Sequence, residues 1–332
     1  MLHVPRQRFG TGRCNWEGDL ENLRHFGAAQ ALKKNTAGTQ MFGPAGAAIW
    51  SAPTVDKKRN LLYVGTGNSY TEVDTNGADA ILAIELETGK VRWVHQFTAH
   101  DDYLMGCEDP RQYIANCPSK LGRDLDFGSS PILRRLPDGR EVVLAGQKSG
   151  MLYALDPDND GKLLWQVSAG RGGALGGIEW GPAADDQNVY VAISDVMTRE
   201  FSPAGGLAAF KIASGERIWH TPAPPPACSG SMRRCTAAQS AAVTVIPGTV
   251  FSGSQDGHLR AYSTGDGSML WDYDTRRPYD TVNGIPGHGG SLDTGGPAIA
   301  NGMLFVNSGY GKFFGEPGNV LLAFRVDADE QR

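Results

Sequence analysis

Five cysteines are the side chains whose spacing first invites chemistry: Cys14, Cys107, Cys117, Cys228 and Cys235, the last four in two close pairs, GCEDPRQYIANCP and ACSGSMRRC. A thiol pair can hold zinc or close a loop. Neither pair has the two-to-four-residue spacing of a zinc knuckle and neither is flanked by a His at ligand distance, so two loop-closing disulfides are the favoured reading and Cys14 is left odd. Disulfides imply an oxidising compartment. The opening MLHVPRQRFGTGRCNWEGD nevertheless has no apolar core behind its basic residues and does not read as a signal peptide. The expectation is a periplasmic or secreted full-length form whose true start lies upstream of Met1. The glycine-rich stretches GRGGALGG and GHGGSLDTGG precede strand signals and not helices, so a phosphate cradle is not supported and they read as loops.

The elements that must position any such chemistry are strands. Of 332 residues, 40% are hydrophobic and 20% charged, enough for a substantial core, and 44 Gly with 19 Pro fall between short Val/Leu/Ile/Tyr runs, as tight turns between strands require. The net charge of −5 is not gathered into a long run of either sign, which gives no electrostatic case for nucleic acid or an anionic membrane. No stretch approaches the roughly 18 uninterrupted apolar residues of a membrane-spanning helix.

One segment recurs four times: AIELETGKVRW, ALDPDNDGKLLW, AFKIASGERIW and AYSTGDGSMLW. Each begins with Ala and ends with Trp (Trp93, Trp165, Trp219, Trp271), and Gly stands four residues before the Trp in every copy (Gly89, Gly161, Gly215, Gly267). A fifth copy, AFRVDADEQR, begins at Ala323. Each copy reads as a strand, a turn and a second strand, with two further strands upstream, such as SAPTVD then LLYVGTG. Four strands per unit at a period of about 50 residues predict an all-β fold, a β-propeller of four-stranded blades, because each sheet has two apolar faces that only its neighbours can cover. The repeated Trp then packs between blades, its flat ring lying between a small Ala and an exposed Gly peptide of the next sheet. About five blades are expected over residues 45–326, with 1–44 an irregular segment containing the loop-like LKKNTAGTQ, and 327–332 a short tail.

The Ala…Gly…Trp repeat resembles the tryptophan-docking motif of the quinoprotein alcohol dehydrogenases, eight-bladed propellers that hold pyrroloquinoline quinone and Ca²⁺ on their axis. From Gly38 to Val326 the blocks GTQMFGPAGAAIWSAPTVD, LLYVGTGNSY, DLDFGSSPIL, AGQKSGMLYALDPD, GRGGALGGIEWG, GSQDGHLRAY and GNVLLAF are similar, in order, to the polyvinyl-alcohol dehydrogenase branch. The resemblance implies part of an eight-bladed ring whose earlier blades are absent. It also implies that Trp50 is the floor under the quinone, that Asn68 of the GTGN turn, eighteen residues on, is a calcium ligand, and that Lys148 of AGQKSG bonds the reactive carbonyl end of the quinone. An amide oxygen suits a hard cation and an indole face suits a flat ring system. The plainer alternatives are a blade Trp, a turn Asn and a solvated turn Lys.

The chain also departs from the family's pattern. The catalytic Asp expected four residues after the His of an H-D-x-W-D-like segment is replaced in AHDDYL by Leu104, which cannot accept a proton. The general base must then be Asp101 or Asp102, or an acid of DLDFG, Asp124 or Asp126. No residue of 1–44 matches the carboxylate that completes the calcium site. No C-x-x-C-H motif occurs, so electrons would leave to a separate acceptor such as a cytochrome c. The implied activity is hydride transfer from an alcohol, secondary or polymeric such as polyvinyl alcohol, to the calcium-bound quinone. The rival expectation is a non-catalytic propeller scaffold or an inactive fragment of the dehydrogenase.

Overall fold

The computed structural model describes residues 26–73, 75–196, 205–227, 236–313 and 315–326. A hairpin of β1 (Gln30–Lys34) and β2 (Gln40–Gly43) comes first. Four four-stranded meanders follow. The first comprises β3 (Thr54–Asp56), β4 (Leu61–Gly65), β5 (Ala80–Glu85) and β6 (Val91–Gln96). The second comprises β7 (Ile132–Arg135), β8 (Glu141–Gly146), β9 (Met151–Asp156) and β10 (Lys162–Ser168). The third comprises β11 (Ala183–Ala184), β12 (Asn188–Ile193), β13 (Gly206–Lys211) and β14 (Arg217–Thr221). The fourth comprises β15 (Thr244–Ile246), β16 (Thr249–Gly253), β17 (His258–Ser263) and β18 (Met269–Asp274). A small hairpin, β19 (Pro278–Tyr279) and β20 (Gly287–His288), leads to a three-stranded sheet of β21 (Ala298–Ala300), β22 (Met303–Ser308) and β23 (Val320–Arg325). Every pairing is antiparallel and follows chain order within its sheet, the arrangement of propeller blades. The polar stretch expected as a loop is a hairpin instead: LKKN and the residues after it pair across a turn, Asn35 capping that turn by accepting the Ala37 and Thr39 N–H groups on its side-chain oxygen.

The repeat performs the packing its residue types predict. In each four-stranded sheet the third-strand Ala faces the fourth-strand Trp: Ala83 with Trp93, Ala154 with Trp165, Ala209 with Trp219 and Ala261 with Trp271. A register shift lies directly beside each of these pairs, and such a bulge re-aims a side chain without ending the ladder. The ring then crosses to the next blade. A Cβ built on Gly161, Gly215 or Gly267 would lie 2.8, 2.7 or 2.5 Å from Trp93, Trp165 or Trp219 respectively, so only glycine fits beneath the indole. Trp165 and Trp219 also donate across the seam from Nε1 to the carbonyls of Ile212 (2.9 Å) and Thr264 (3.0 Å). Trp271 instead meets the last sheet edge-on at Phe324, 5.4 Å between centroids. Four apolar clusters each join adjacent sheets, so the core is a series of seams.

The seam between the first two blades differs. Trp93 Nε1 is buried with no hydrogen-bond partner among the described residues. Arg59 bridges that seam, bonding Asp56 (2.7 Å) in its own blade and Glu141 (2.8 Å) and Asp158 (2.7 Å) in the next. Lys58 adds a second bond to Glu141, 2.8 Å.

Two glycine substitutions separate packing from backbone strain. Gly215 and Gly248 both have positive φ (73° and 83°), but a Cβ on Gly248 meets nothing within 4 Å whereas one on Gly215 strikes Trp165. Gly248→Ala is expected to cost about 1 kcal/mol from backbone strain, and Gly215→Ala several times that, approaching the roughly 3–5 kcal/mol of Trp165→Ala. Urea-unfolding midpoints of the three variants check this, and equal midpoints for the two glycine variants would refute the docking role.

Candidate functional site

Residues from three blades converge on one end of the sheets. Trp50 lies in the segment entering β3, Asn68 in the β4–β5 connection, Asp124 and Asp126 in the segment before β7, Lys148 in the tight β8–β9 turn, and Glu179 and Trp180 just before β11. Trp50, 37% exposed, keeps an open aromatic surface. A Cβ on Gly128 would lie 2.2 Å from Cη2 of Trp50, so the bare backbone at Gly128 is what allows the indole to settle. The Trp180 ring meets it edge-on, with centroids 5.3 Å apart. The Lys148 ammonium stands 5.4 Å from the centre of the Trp50 ring, within cation–π range.

Lys148 is 6% exposed and bonds Asp126 (2.9 Å) and Asp124 (3.1 Å). Burial alone would lower its pKa, but the charges of Asp126 and Asp124 outweigh burial and hold it above the ordinary lysine range. Burial pushes Asp124 up to about 7; Lys148 opposes the rise and the Asp126 charge adds to it. Asp124 also sits at φ 63°, as does nearby His100 at φ 57°, a left-handed conformation that recurs at functional sites.

The structure divides the four candidate bases by their partners. Asp101 accepts the backbone N–H groups of Arg123, Asp124 and Leu125, which fixes the loop that carries Asp124. Asp126 accepts the Asn68 N–H at 2.7 Å on one oxygen and Lys148 on the other. Asp102 lines a cavity of about 380 Å³ with His100, Asp101, Gln96 and Thr98, and its carbonyl accepts the Gly122 N–H. Asp124 is bonded through Oδ2 to Lys148.

Asn68 is 5% exposed. Its amide nitrogen donates to the carbonyls of Ser69 (2.6 Å) and Tyr103 (2.8 Å), which fixes the amide's orientation and leaves Oδ1 as a spare acceptor. Tyr103 lies just before the loop closed by the Cys107–Cys117 disulfide, the expected first pair. Cys14, Cys228 and Cys235 lie outside the described residues. Among the described residues no group of three or more His, Cys, Asp or Glu side chains could hold a metal ion, so for calcium the chain offers the Asn68 amide oxygen without a completing carboxylate. For a flat quinone the fit is better: an open indole, a buried ammonium beside it and adjacent acids.

Sequence reasoning missed Glu179, Trp180 and Asp79. Asp79 is fully buried at φ 46°, and neither of its oxygens meets a hydrogen-bond donor among the described residues. It stands four residues before Ala83, where Gly150, Gly205 and Gly257 stand before Ala154, Ala209 and Ala261, so an alignment of the repeats exposes it as the odd residue. Burial, then the charges of Asp101, Asp126 and Asp124, push it up to about 9.

Two family models match the chain: "Glucose/ethanol/alcohol dehydrogenase, beta-propeller domain" over residues 9–105 and "Outer membrane protein assembly factor BamB" over residues 148–288. A polyvinylalcohol dehydrogenase of Pseudomonas sp. is 52% identical over 89% of this chain and 47% of its own length. That of Sphingopyxis sp. (strain 113P3) is 46% identical with the same coverage. In sequence the chain is similar to the quinoprotein alcohol dehydrogenases over most of its length. It spans about half the length of these curated relatives. The structure of quinohemoprotein alcohol dehydrogenase from Comamonas testosteroni superposes with a TM-score of 0.55 at 16% identity, over 83% of this chain and 46% of that one, which supports the propeller fold.

A neutral, buried Asp79 gives this chain a pH signature. The unfolded carboxyl ionises near pH 4 and the folded one near 9, so Asp79 costs stability increasingly between those values and by a constant amount above them. Asp79→Asn, which tolerates the same φ, is expected to raise the melting temperature at pH 8 by several degrees and to match the parent near pH 4. Thermal unfolding across that range checks it, and a variant less stable at pH 8 would overturn the reading.

Proposed function

We propose that this chain forms the quinone-bearing face of a pyrroloquinoline quinone-dependent alcohol dehydrogenase acting on secondary or polymeric alcohols such as polyvinyl alcohol. The observation that carries the reading is the open Trp50 ring beside the buried Lys148 ammonium, itself held between Asp124 and Asp126. Trp50 would stack under the flat ring system, with Lys148 donating to a carbonyl oxygen at its edge. When bound, the quinone supplies the redox chemistry, accepting the hydride removed from the carbinol carbon.

The chain's own residues would orient the alcohol and move its proton. Asp124 is the proposed base: one carboxylate oxygen is occupied by Lys148, and its pKa of about 7 suits a group that accepts a proton at neutral pH. Asp101 would hold the base's loop through three backbone N–H groups, and Asp126 would tie Lys148 to the Asn68 backbone. Asn68 Oδ1 is the proposed ligand toward a calcium ion, whose other ligands the described residues do not supply. Electrons would pass to a separate acceptor such as a cytochrome c. The disulfide suits an oxidising compartment, and a periplasmic or secreted location is the corresponding proposal. A non-catalytic scaffold is the second reading, favoured by the match over residues 148–288 to the assembly-factor model.

Purified protein given pyrroloquinoline quinone and Ca²⁺ is expected to show quenched indole fluorescence and dye-linked alcohol oxidation. The rate should rise with pH through about 7 as Asp124 ionises. Asp124→Asn should lower turnover by roughly 10²-fold or more while leaving quinone binding intact, and Lys148→Ala should weaken the quinone itself. A folded protein that neither binds quinone nor oxidises alcohol would favour the scaffold.

A further inference from the structure

The acids that act on Glu179 are each held by donors. Asp124 and Asp126 share Lys148, and Asp293 accepts from Ser240 Oγ (2.7 Å), Gln255 Nε2 (3.1 Å) and the Thr294 N–H (2.7 Å). Glu179, 6% exposed, receives no hydrogen bond on its carboxyl group among the described residues. Its main chain is part of the floor: a Cβ on Gly128 would lie 2.8 Å from the Glu179 carbonyl and 2.2 Å from the Trp50 ring. The next residue, Trp180, carries the ring that braces Trp50.

The charged and titratable groups that act on Glu179 come from four elements. They are Lys148 in the turn after β8, Asp124 and Asp126 before β7, Asp293 before β21, and Tyr310 after β22. Lys148 is the one cation among them and is already shared by two carboxylates. A carboxylate stranded in this company is expensive, whereas a neutral carboxyl group has an O–H to donate. What that O–H lacks is an acceptor. Pyrroloquinoline quinone carries several carboxylates, and an anion of that kind is repelled by this cluster unless one of the acids gives up its charge.

We propose that Glu179 is a ligand-contacting residue of this site, its neutral carboxyl group donating a hydrogen bond to an anionic oxygen of the quinone that stacks on Trp50. The inference rests on the quinone reading above and adds a consequence to it: at pH values where the free site holds Glu179 ionised, each quinone that binds brings one proton from solvent onto it. Burial, opposed by Lys148 and reinforced by Asp293, Asp124 and Asp126, already lifts this acid to about 8 before any ligand arrives.

The test is the dissociation constant of pyrroloquinoline quinone, read from indole quenching between pH 6 and 10, with calorimetry in two buffers of different ionisation enthalpy to count protons. The parent should bind with constant affinity below about pH 7 and weaken by up to tenfold per pH unit above about 8. Glu179→Gln keeps a donor, so it should retain the low-pH affinity while losing that slope and the proton uptake. Glu179→Ala should bind roughly tenfold or more weakly at pH 6. Binding in which Glu179→Gln keeps the parent's slope, or Glu179→Ala keeps its affinity, overturns the role of Glu179 and leaves the quinone reading standing. A folded parent that binds no quinone at any pH overturns both.

Discussion

An indole ring pressed between an alanine of its own sheet and a glycine peptide of the next is the contact on which the rest of the molecule depends. Each blade is a thin meander with two apolar faces and no core of its own, so it is stable only against neighbours. The bulge beside each Ala–Trp pair turns the ring outward, and the bare Gly peptide lets the next blade close on it. Strand order, seam spacing and the convergence of the blade entrances at one end follow from repeating that contact.

The candidate site uses the same geometry. Trp50, the first of the site residues in the chain, lies in the segment between the β1–β2 hairpin and β3, and there it settles against the glycine backbone at Gly128. Segments that enter a blade and turns between its middle strands meet at this end, which brings Lys148 to Asp124 and Asp126 although they belong to separate loops. Burial then sets the chemistry: one cation serves two acids, and other acids are left to remain neutral.

The architecture was legible in the sequence because Ala, Gly and Trp recur at fixed offsets, and packing demands those residue types wherever the contact repeats. Trp50, Asn68 and Lys148 were legible through motifs such as GTGN and AGQKSG, and the structure brings Trp50 and Lys148 to one place with Asn68 tied to them through Asp126. The hairpin at Gln30–Gly43 was not legible, since its strands are polar and occur once. Glu179 and Asp79 were not legible either. What distinguishes them is burial without a donor, a property of three-dimensional company that no local spacing encodes, although the column of glycines at Asp79's position was a clue.

The first seam has a separate consequence. There the Trp93 indole nitrogen finds no hydrogen-bond partner among the described residues and Arg59 ties the blades through Glu141 and Asp158, so charge adds to the apolar contact at this junction where indole–carbonyl dipoles add to it at the next two. Trp50 and Asn68 stand on one side of it and Lys148 on the other. Dissolved electrolyte weakens charge pairs and leaves indole–carbonyl bonds nearly untouched, so the ionic strength of the surroundings acts as a tuning screw on one of the junctions that the site straddles.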